Sequence, residues 1–266
     1  MRSRETEPSP NSLEKIEMFF VGLIQPTQNL YLIQNQIQIK MKDYTVTYLD
    51  LSNKNIKKLP KDLPLYTQLR ELNCNYNMLT SLNGLPPNLT HLYCTDNQLT
   101  ELDLDTLPPS LTLLYCGNNN LTSLDRLPSH LLFLSCRLNK LTSLNHLPTT
   151  LEWLDCSRNQ IQCLNKLPPS LTYLDCQCNQ ITSLNSLPAD LKELDCSKNR
   201  ITSLDMLPEN LHMLVCMKNQ IMYLDSLPDT LIHLNCGGNP FLYDFKPVTL
   251  DTILQYNLHR DRYVLK

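Results

Sequence analysis

The sequence has few glycines and no excess of positive charge. Only 5 of its 266 residues are glycine, and 23 lysines and arginines stand against 26 acidic residues, for a formal net charge of −3. The basic residues form no stripe, so electrostatic binding to nucleic acid or to an anionic membrane is not expected. The glycines form no phosphate-binding loop, which argues against a nucleotide-dependent enzyme.

Long apolar runs are missing too. The longest one, Met18 to Ile24, has about 7 residues, whereas a membrane-spanning helix needs ~20. Arg2 and Arg4 resemble the start of a signal peptide, but Glu5 follows them directly and no small-residue cleavage site comes later. We therefore expect a cytoplasmic protein that is kept in a reducing compartment.

Leucine, asparagine, proline and cysteine are abundant. Leucine makes up about a fifth of the chain and asparagine about a tenth, well above their usual share. There are also 18 prolines and 11 cysteines. So many cysteines are compatible with disulfides, metal ligands or catalysis, and their spacing has to decide between these.

Nine of the cysteines recur with a fixed period. They lie 20 residues apart, with one step of 22, and each is followed three positions later by asparagine. A period of this length predicts a solenoid. The cysteines are Cys74, Cys94, Cys116, Cys136, Cys156, Cys176, Cys196, Cys216 and Cys236. The asparagines are Asn77, Asn97, Asn119, Asn139, Asn159, Asn179, Asn199, Asn219 and Asn239.

Each repeat has the pattern of a short strand followed by an extended return. Leucine and cysteine alternate with period two, which is typical of a strand with one buried face. Such strands stack into a curved parallel sheet with a spacing of about 4.8 Å, or about 48 Å for ten coils. The return segments contain proline, so the convex side is predicted to be extended or polyproline-like, with little helix.

The unit resembles a leucine-rich repeat. Residues 167–186 read LPPSLTYLDCQCNQITSLNS and fit the pattern L-x-x-L-x-[LC]-x-x-N-x-[LI]-x-x-L. The shortness of the unit and its Leu-Pro-x-x-Leu opening are similar to the repeats of secreted bacterial effectors and of giant amoebal virus proteins. The resemblance covers about residues 46–240, and it implies a solenoid that binds other proteins.

The sequence divides into a cap, a leucine-rich repeat solenoid and a second cap. Residues 1–45 are expected to form an N-terminal tail and cap, with a short helix opening at Asn11 and with a degenerate repeat at 30–40 as an open alternative. Residues 46–240 form about ten coils. Residues 241–266 form a C-terminal cap, in which a short helix covers the open edge of the core. The apolar residues of that helix are Leu250, Ile253, Leu254 and Leu258.

The repeated asparagines and cysteines are predicted to be structural. A buried amide must be satisfied, so the asparagines should hydrogen-bond backbone groups where each strand ends. Cysteines on neighbouring rungs have Cβ atoms about 4.8 Å apart, longer than the ~3.8 Å of a disulfide, and are better explained as small packing residues. A row of thiols is the alternative site for a soft metal ion, but it lacks convergent geometry, so no cofactor is expected.

Two cysteines lie outside the period. Cys163 replaces a serine of the return segment. Cys178 lies two residues after Cys176, one of the nine periodic cysteines, which we call the ladder cysteines. The equivalents of Cys178 on adjacent coils are Arg158 and Lys198, and two flanking cations favour the thiolate. Cys178 is therefore our candidate for the most reactive thiol, with an incidental surface thiol as the alternative.

Function is expected on the outward positions of the strands, which form columns on the concave face. Three positions before the ladder cysteine, large apolar residues occur on four successive strands. Two tyrosines lie one position before that cysteine, and we call the whole set the aromatic stripe. Three aspartates follow in the second column, with basic residues across the strand. We predict that this face binds a protein or peptide, and that the aspartates suit a basic one. The candidate contact residues are Tyr93, Leu113, Tyr115, Phe133, Trp153, Tyr173, Asp155, Asp175, Asp195, Arg158 and Lys198.

Alternatives stay open for both features. The aspartates are equally explained as structural or solvated residues, because Leu-Asp-Leu-Ser is common in leucine-rich repeats, and the basic margin then merely neutralises them. The aromatic stripe is either a binding site or lateral packing of neighbouring rungs.

No metal quartet or pair of catalytic acids appears, so we expect no enzymatic activity. Bacterial effectors with such repeats often carry a separate ubiquitin-ligase domain with a Cys-x-Asp motif. Here Cys94-Thr95-Asp96 fits that motif only as part of the repeat, and the ~26 residues after Pro240 are too few for another domain. The function expected is non-catalytic binding of host proteins in the host cytosol by a pathogen or viral protein. The alternative is the substrate-recognition part of a ubiquitin-ligase system.

Overall fold

The computed structural model describes residues 43–102 and 107–264, with side chains up to residue 258. Residues from Asp43 onward belong to one compact unit. The helix opening at Asn11 and the degenerate repeat at 30–40 lie outside the described residues.

Ten short strands form a single parallel sheet. Each strand has three residues and pairs with the next strand of the chain, so the order in the sheet is the order in the sequence. The strands are β1 (Tyr48–Asp50), β2 (Glu71–Asn73), β3 (His91–Tyr93), β4 (Leu113–Tyr115), β5 (Phe133–Ser135), β6 (Trp153–Asp155), β7 (Tyr173–Asp175), β8 (Glu193–Asp195), β9 (Met213–Val215) and β10 (His233–Asn235). This arrangement confirms the solenoid predicted from the period.

The strand register follows the leucine pattern. Leu154 at the centre of β6 pairs with Leu134 of β5 and Leu174 of β7, and all three are fully buried. Hydrogen bonds between coils continue past the strand, from the Cys156 amide to the Asp175 carbonyl at 2.8 Å and from the Arg158 amide to the Gln177 carbonyl at 2.8 Å. One stack of leucine and cysteine side chains therefore forms the core along the solenoid.

The convex side is extended. Within the described ranges, the return segments contain no helix except a three-residue 3₁₀ turn at Leu63–Leu65. Each Leu-Pro-x-x-Leu opening closes a turn in which the proline carbonyl accepts a hydrogen bond from a later leucine amide, as from Leu171 to Pro168 at 3.2 Å. The prediction of little helix on this side is confirmed, because proline leaves these residues no helical hydrogen-bond ladder.

From the second coil on, each coil turns through a left-handed residue directly before its asparagine; in the first coil Asn53 has this conformation before Lys54. These residues have φ between 49° and 57°, or 76° where the residue is glycine. Left-handed backbone is disfavoured for residues with a Cβ atom. From the second coil on, the column contains Tyr76, Asp96, Asn118, Leu138, Arg158, Cys178, Lys198, Lys218 and Gly238.

A helix follows the last coil. Helix α1 spans Leu250–Val264, and its Ile253 is fully buried. Leu258 differs from the sequence expectation, because it is 63% exposed on the solvent side of the helix. Aromatic residues pack at this end instead. The Tyr256 ring contacts the buried Tyr243, and the Tyr243 hydroxyl accepts a hydrogen bond from the Leu224 amide at 2.6 Å. No helix in the described part of the chain is long and apolar enough to cross a membrane.

Candidate functional site

The repeated asparagines tie neighbouring coils together. The Asn159 side-chain amide donates to the carbonyls of Cys136 and Cys156, both at 3.0 Å, and its Oδ1 accepts from the Leu141 amide at 3.0 Å. The other eight ladder asparagines also donate to the carbonyls of their own and the preceding coil. These side chains hold the turn together and leave no amide group for a partner.

The ladder cysteines are buried free thiols. The Cys74 thiol donates to the Tyr93 carbonyl of the next coil at 3.2 Å, and burial raises the pKa of Cys74 to about 12. A thiol with such a pKa is protonated near neutral pH and is a poor nucleophile or metal ligand. No group of three or more residues suited to a metal ion occurs in the described ranges.

Cys163 and Cys178 are partly exposed thiols. Cys178 occupies the left-handed column, and the backbone register places it between Arg158 and Lys198. Its greater reactivity stays a prediction.

The aromatic stripe on the concave face is a set of ring contacts. Tyr93 and Tyr115 stack with centroids 5.4 Å apart, and Trp153 and Tyr173 stack with centroids 4.9 Å apart. The Tyr115 and Trp153 rings, on β4 and β6, are 6.3 Å apart, with the small Ser135 on the strand between them. Together these four rings, here called the ring row, cross the sheet diagonally from β3 to β7.

Two residues of the stripe are less exposed than the sequence suggests. We expected outward positions to point to solvent, but Leu113 is 7% and Trp153 only 5% exposed. Trp153 is covered because the rings of Tyr115 and Tyr173 lie against it. The accessible part of the ring row is therefore formed by the half-buried Tyr93, Tyr115 and Tyr173, while Trp153 is covered. Lateral packing and an outward surface are combined in one feature.

The three aspartates stabilise the turns that follow their strands. Asp155 accepts hydrogen bonds from the Ser157 amide at 3.0 Å and the Ser157 hydroxyl at 2.6 Å, and is 1% exposed. Asp175 accepts from the amide and the side chain of Gln177, both at 3.0 Å. Side-chain acceptors two residues before an amide are typical of Asx turns. These hydrogen bonds support the structural explanation of the aspartates.

Burial and mutual repulsion disfavour the charged form of the aspartates. Burial, together with the neighbouring carboxylates of Asp155 and Asp195, raises the pKa of Asp175 to about 7, and burial raises the pKa of Asp195 as well. Lys198 partly offsets this for Asp195. No lysine or arginine lies within 4 Å of the three carboxylates in the part of the chain that the structure describes. The column is an acidic strip without close counter-ions.

Sequence reasoning missed the left-handed column. Asp96, Asn118 and Gly238 are residue types that tolerate positive φ, and their alignment two residues after the ladder cysteine was a usable signal. Other members of the column, such as Leu138, do not favour positive φ, so their left-handed conformation is imposed by the repeat and is not visible in the sequence.

No model of a known protein family matches the chain, and no curated protein matches it. Several solved structures do match this chain. YopM, a leucine-rich effector protein from Yersinia pestis, matches with a TM-score of 0.67 and 36% identity, over 72% of this chain and 54% of that one. A Shigella effector leucine-rich repeat domain matches with a TM-score of 0.53 and 34% identity, over 59% of this chain and 71% of that domain. This chain is a leucine-rich repeat protein.

The likeness extends beyond bacterial effectors. The leucine-rich repeat domain of APL1B matches with a TM-score of 0.66 and 25% identity, over 89% of this chain and 75% of that one. Our leucine-rich repeat protein is thus effector-like in its repeats, although it spans only about half the length of the matched Yersinia effectors. These neighbours support a protein-interaction module.

Proposed function

We propose that this leucine-rich repeat protein is a non-catalytic module that binds a protein or peptide on its concave face. The observation that carries the proposal is the ring row, which brings Tyr93, Tyr115, Trp153 and Tyr173 together across five strands. Tyrosine and tryptophan are favoured anchors in protein interfaces, because they bury a large area at a small cost in conformational entropy.

Two further features support a binding surface. The outward side chains are displayed on a sheet whose register is fixed by the asparagine and cysteine columns, so the surface is preorganised. Among the matched structures is a complex of LRIM1 and APL1C, a chain of which matches with a TM-score of 0.60 and 25% identity. We propose host-cell cytosolic proteins as the partners, in line with the effector-like repeats.

Site-specific photo-crosslinking tests the proposal. A benzoylphenylalanine at position 93 should crosslink a partner from cytosolic extract, whereas the same group at position 223 should not. Tyr223 is 42% exposed on the return segment and is a matched control for an accessible tyrosine outside the concave face. Equal crosslinking at both positions would place the binding surface elsewhere.

A further inference from the structure

A ridge of cations borders the concave face along the turns that follow β5 to β9. Its members lie one, two or four residues after the ladder cysteines, and the coil of β7 adds no cation but places Cys178 in the middle. We call this set the basic ridge, and it consists of Arg137, Lys140, Arg158, Lys198, Arg200 and Lys218. The linear sequence shows no basic stripe because these residues are spread over several repeats, and only the fold brings them to one side of the sheet.

Backbone hydrogen bonds between coils hold the ridge in place. The Arg158 amide donates to the Gln177 carbonyl at 2.8 Å, and the Lys198 amide donates to the Met217 carbonyl at 2.7 Å. Neighbouring coils are about 4.8 Å apart, so the turns from β5 to β9 span about 19 Å. An extended polypeptide covers this length with about six residues, at about 3.3 Å each. The ridge is therefore preorganised for a short extended segment.

The neighbouring aspartates do not neutralise the ridge. Asp155 accepts from the Ser157 amide and hydroxyl, and also from the Ser135 hydroxyl at 3.2 Å. Among the described residues, none of the six ridge side chains donates a hydrogen bond or lies within 4 Å of a carboxylate. Lys198 acts on Asp195 only from a longer distance. The carboxylates thus serve the turns, and the cations face solvent without close counter-ions in this part of the chain.

Charges of opposite sign are segregated on the solenoid. The three ridge positions contain no aspartate or glutamate in the coils from β5 to β9, and no cation in the coils from β2 to β4. Exposed acidic residues such as Asp125, Asp190 and Asp229 lie on the return segments instead. Solubility alone is served by mixed signs, whereas a patch of one sign on a chain of net charge −3 fits a partner of the opposite sign.

We propose that the basic ridge binds an extended acidic segment of the partner protein, rich in aspartate and glutamate. Arg158 and Arg200 can each donate to a carboxylate in pairs, and the lysines add point charges along the segment. The rest of the partner covers the adjoining concave face. The inference rests on the concave-face binding proposed above and specifies the chemistry of that partner.

An acidic polypeptide fits the ridge better than nucleic acid does. A ligand that extends past the ridge towards the strands meets Asp175 and Asp195, and a long polyanion is also repelled by the net charge of −3. The three ridge positions in the coils from β5 to β9 hold no aromatic residue on which bases could stack. A polypeptide, in contrast, can direct carboxylates to the ridge and other side chains to the strands.

A labelled peptide tests the charge preference. The probe is a rhodamine-labelled peptide with six consecutive glutamates, compared with the same peptide carrying six glutamines. Fluorescence anisotropy at about 50 mM salt, where screening is weak, should show binding of the glutamate peptide that is tighter by on the order of tenfold or more. Equal binding of the two peptides would overturn the proposal. Tighter binding of a thymidine hexanucleotide with the same label would overturn it in favour of nucleic acid.

Cys178 reports where the peptide binds. It is partly exposed and lies between Arg158 and Lys198, while Cys163 is a partly exposed thiol on the return segment. Saturating glutamate peptide should slow alkylation of Cys178 by about fivefold or more, because it covers the thiol and neutralises the flanking cations, and should leave Cys163 unchanged. Unchanged alkylation of Cys178, or equal slowing of both thiols, would contradict this location.

Matched lysine variants separate the ridge from overall charge. The ridge variant combines Lys140→Gln, Lys198→Gln and Lys218→Gln. The control variant combines Lys57→Gln, Lys166→Gln and Lys192→Gln. All six lysines are exposed, and both variants change the net charge equally. The ridge variant should weaken the glutamate peptide by on the order of tenfold, because three surface ion pairs are lost, and the control should not. Equal effects of the two variants would overturn the proposal.

The two proposals fail separately. If position 93 crosslinks a partner and the ridge variant does not weaken that capture, the concave face is the site and the acidic segment is wrong. If the glutamate peptide binds the ridge but no partner crosslinks at position 93, the basic ridge stands as a site and the proposed function is wrong.

Discussion

The ring of Trp153 stacks on that of Tyr173 across neighbouring strands, with centroids 4.9 Å apart and planes 9° apart. The pair is only partly solvent-facing, because Trp153 is 5% exposed. The same rings therefore stabilise the sheet and form an apolar part of its concave surface. A mutation here tests folding first and binding second, so the accessible Tyr93 is the better probe of binding.

Replacing Trp153 should destabilise the solenoid strongly. Trp153→Ala removes a buried aromatic side chain and is expected to cost about 3–5 kcal/mol of unfolding free energy. Tyr223→Ala, at a position 42% exposed, should cost no more than about 1 kcal/mol. Urea unfolding followed by circular dichroism measures both. Similar values for the two variants would mean that the Trp153 ring is not packed as described.

Removing one ladder asparagine should also destabilise the chain. Asn159→Ala leaves the Leu141 amide and two cysteine carbonyls without their side-chain partner, at a cost of about 1–3 kcal/mol. Asn165→Ala, an exposed return residue, is the matched control. The difference in urea midpoint between the two variants measures the contribution of the ladder, and no difference would rule out the buried hydrogen bonds.

The asparagine and cysteine columns were predictable, whereas the ring contacts were not. A fixed period specifies the register, so Cys156 and Asn159 could be placed in the core from sequence alone. The approach of Tyr115 to Trp153 depends on the small Ser135 between them, and on the curvature of the sheet, which the period does not give. The exposure of Leu258 was missed because helical spacing does not show which neighbours cover a residue. At this end the helix packs through Tyr256, whose ring contacts Tyr243, and Leu258 stays exposed.

Stability should fall as the pH rises towards neutrality. An aspartate in an unfolded chain titrates near pH 4, whereas burial beside Asp155 and Asp195 raises the pKa of folded Asp175 to about 7. Between these values the folded state binds more protons, so each increase in pH lowers the free energy of unfolding, until the effect ends above about pH 7.

Asp175→Asn isolates this effect. The variant keeps an acceptor for the Gln177 amide but cannot ionise. Its free energy of unfolding should exceed that of the wild type by on the order of 1 kcal/mol or more at pH 8, and the gain should shrink towards pH 4. Urea midpoints at several pH values measure the difference. A gain independent of pH would show that Asp175 ionises normally in the folded state.

Native alkylation should separate the two classes of cysteine. Brief treatment with iodoacetamide is expected to label Cys178 first, then Cys163, because both are partly exposed while the nine ladder thiols are buried and protonated. Mass spectrometry of tryptic peptides gives the order, and Cys178→Ser is the control for assignment. Early labelling of any ladder cysteine would contradict the packed core, and faster labelling of Cys163 would contradict the prediction that Cys178 is the most reactive thiol.

The left-handed turns should tolerate asparagine better than a β-branched residue. Leu138 has φ of 55°, where a β-branched side chain clashes with the backbone, so Leu138→Val should cost about 1–2 kcal/mol. Leu138→Asn should be neutral or stabilising, because asparagine tolerates this conformation and already occupies the equivalent position at Asn118. The Leu138 amide donates to the Ser157 carbonyl at 2.9 Å, and neither substitution removes that bond. Thermal unfolding of the two variants should therefore differ through the turn alone, and equal melting temperatures would show that the turn at residue 138 is not left-handed.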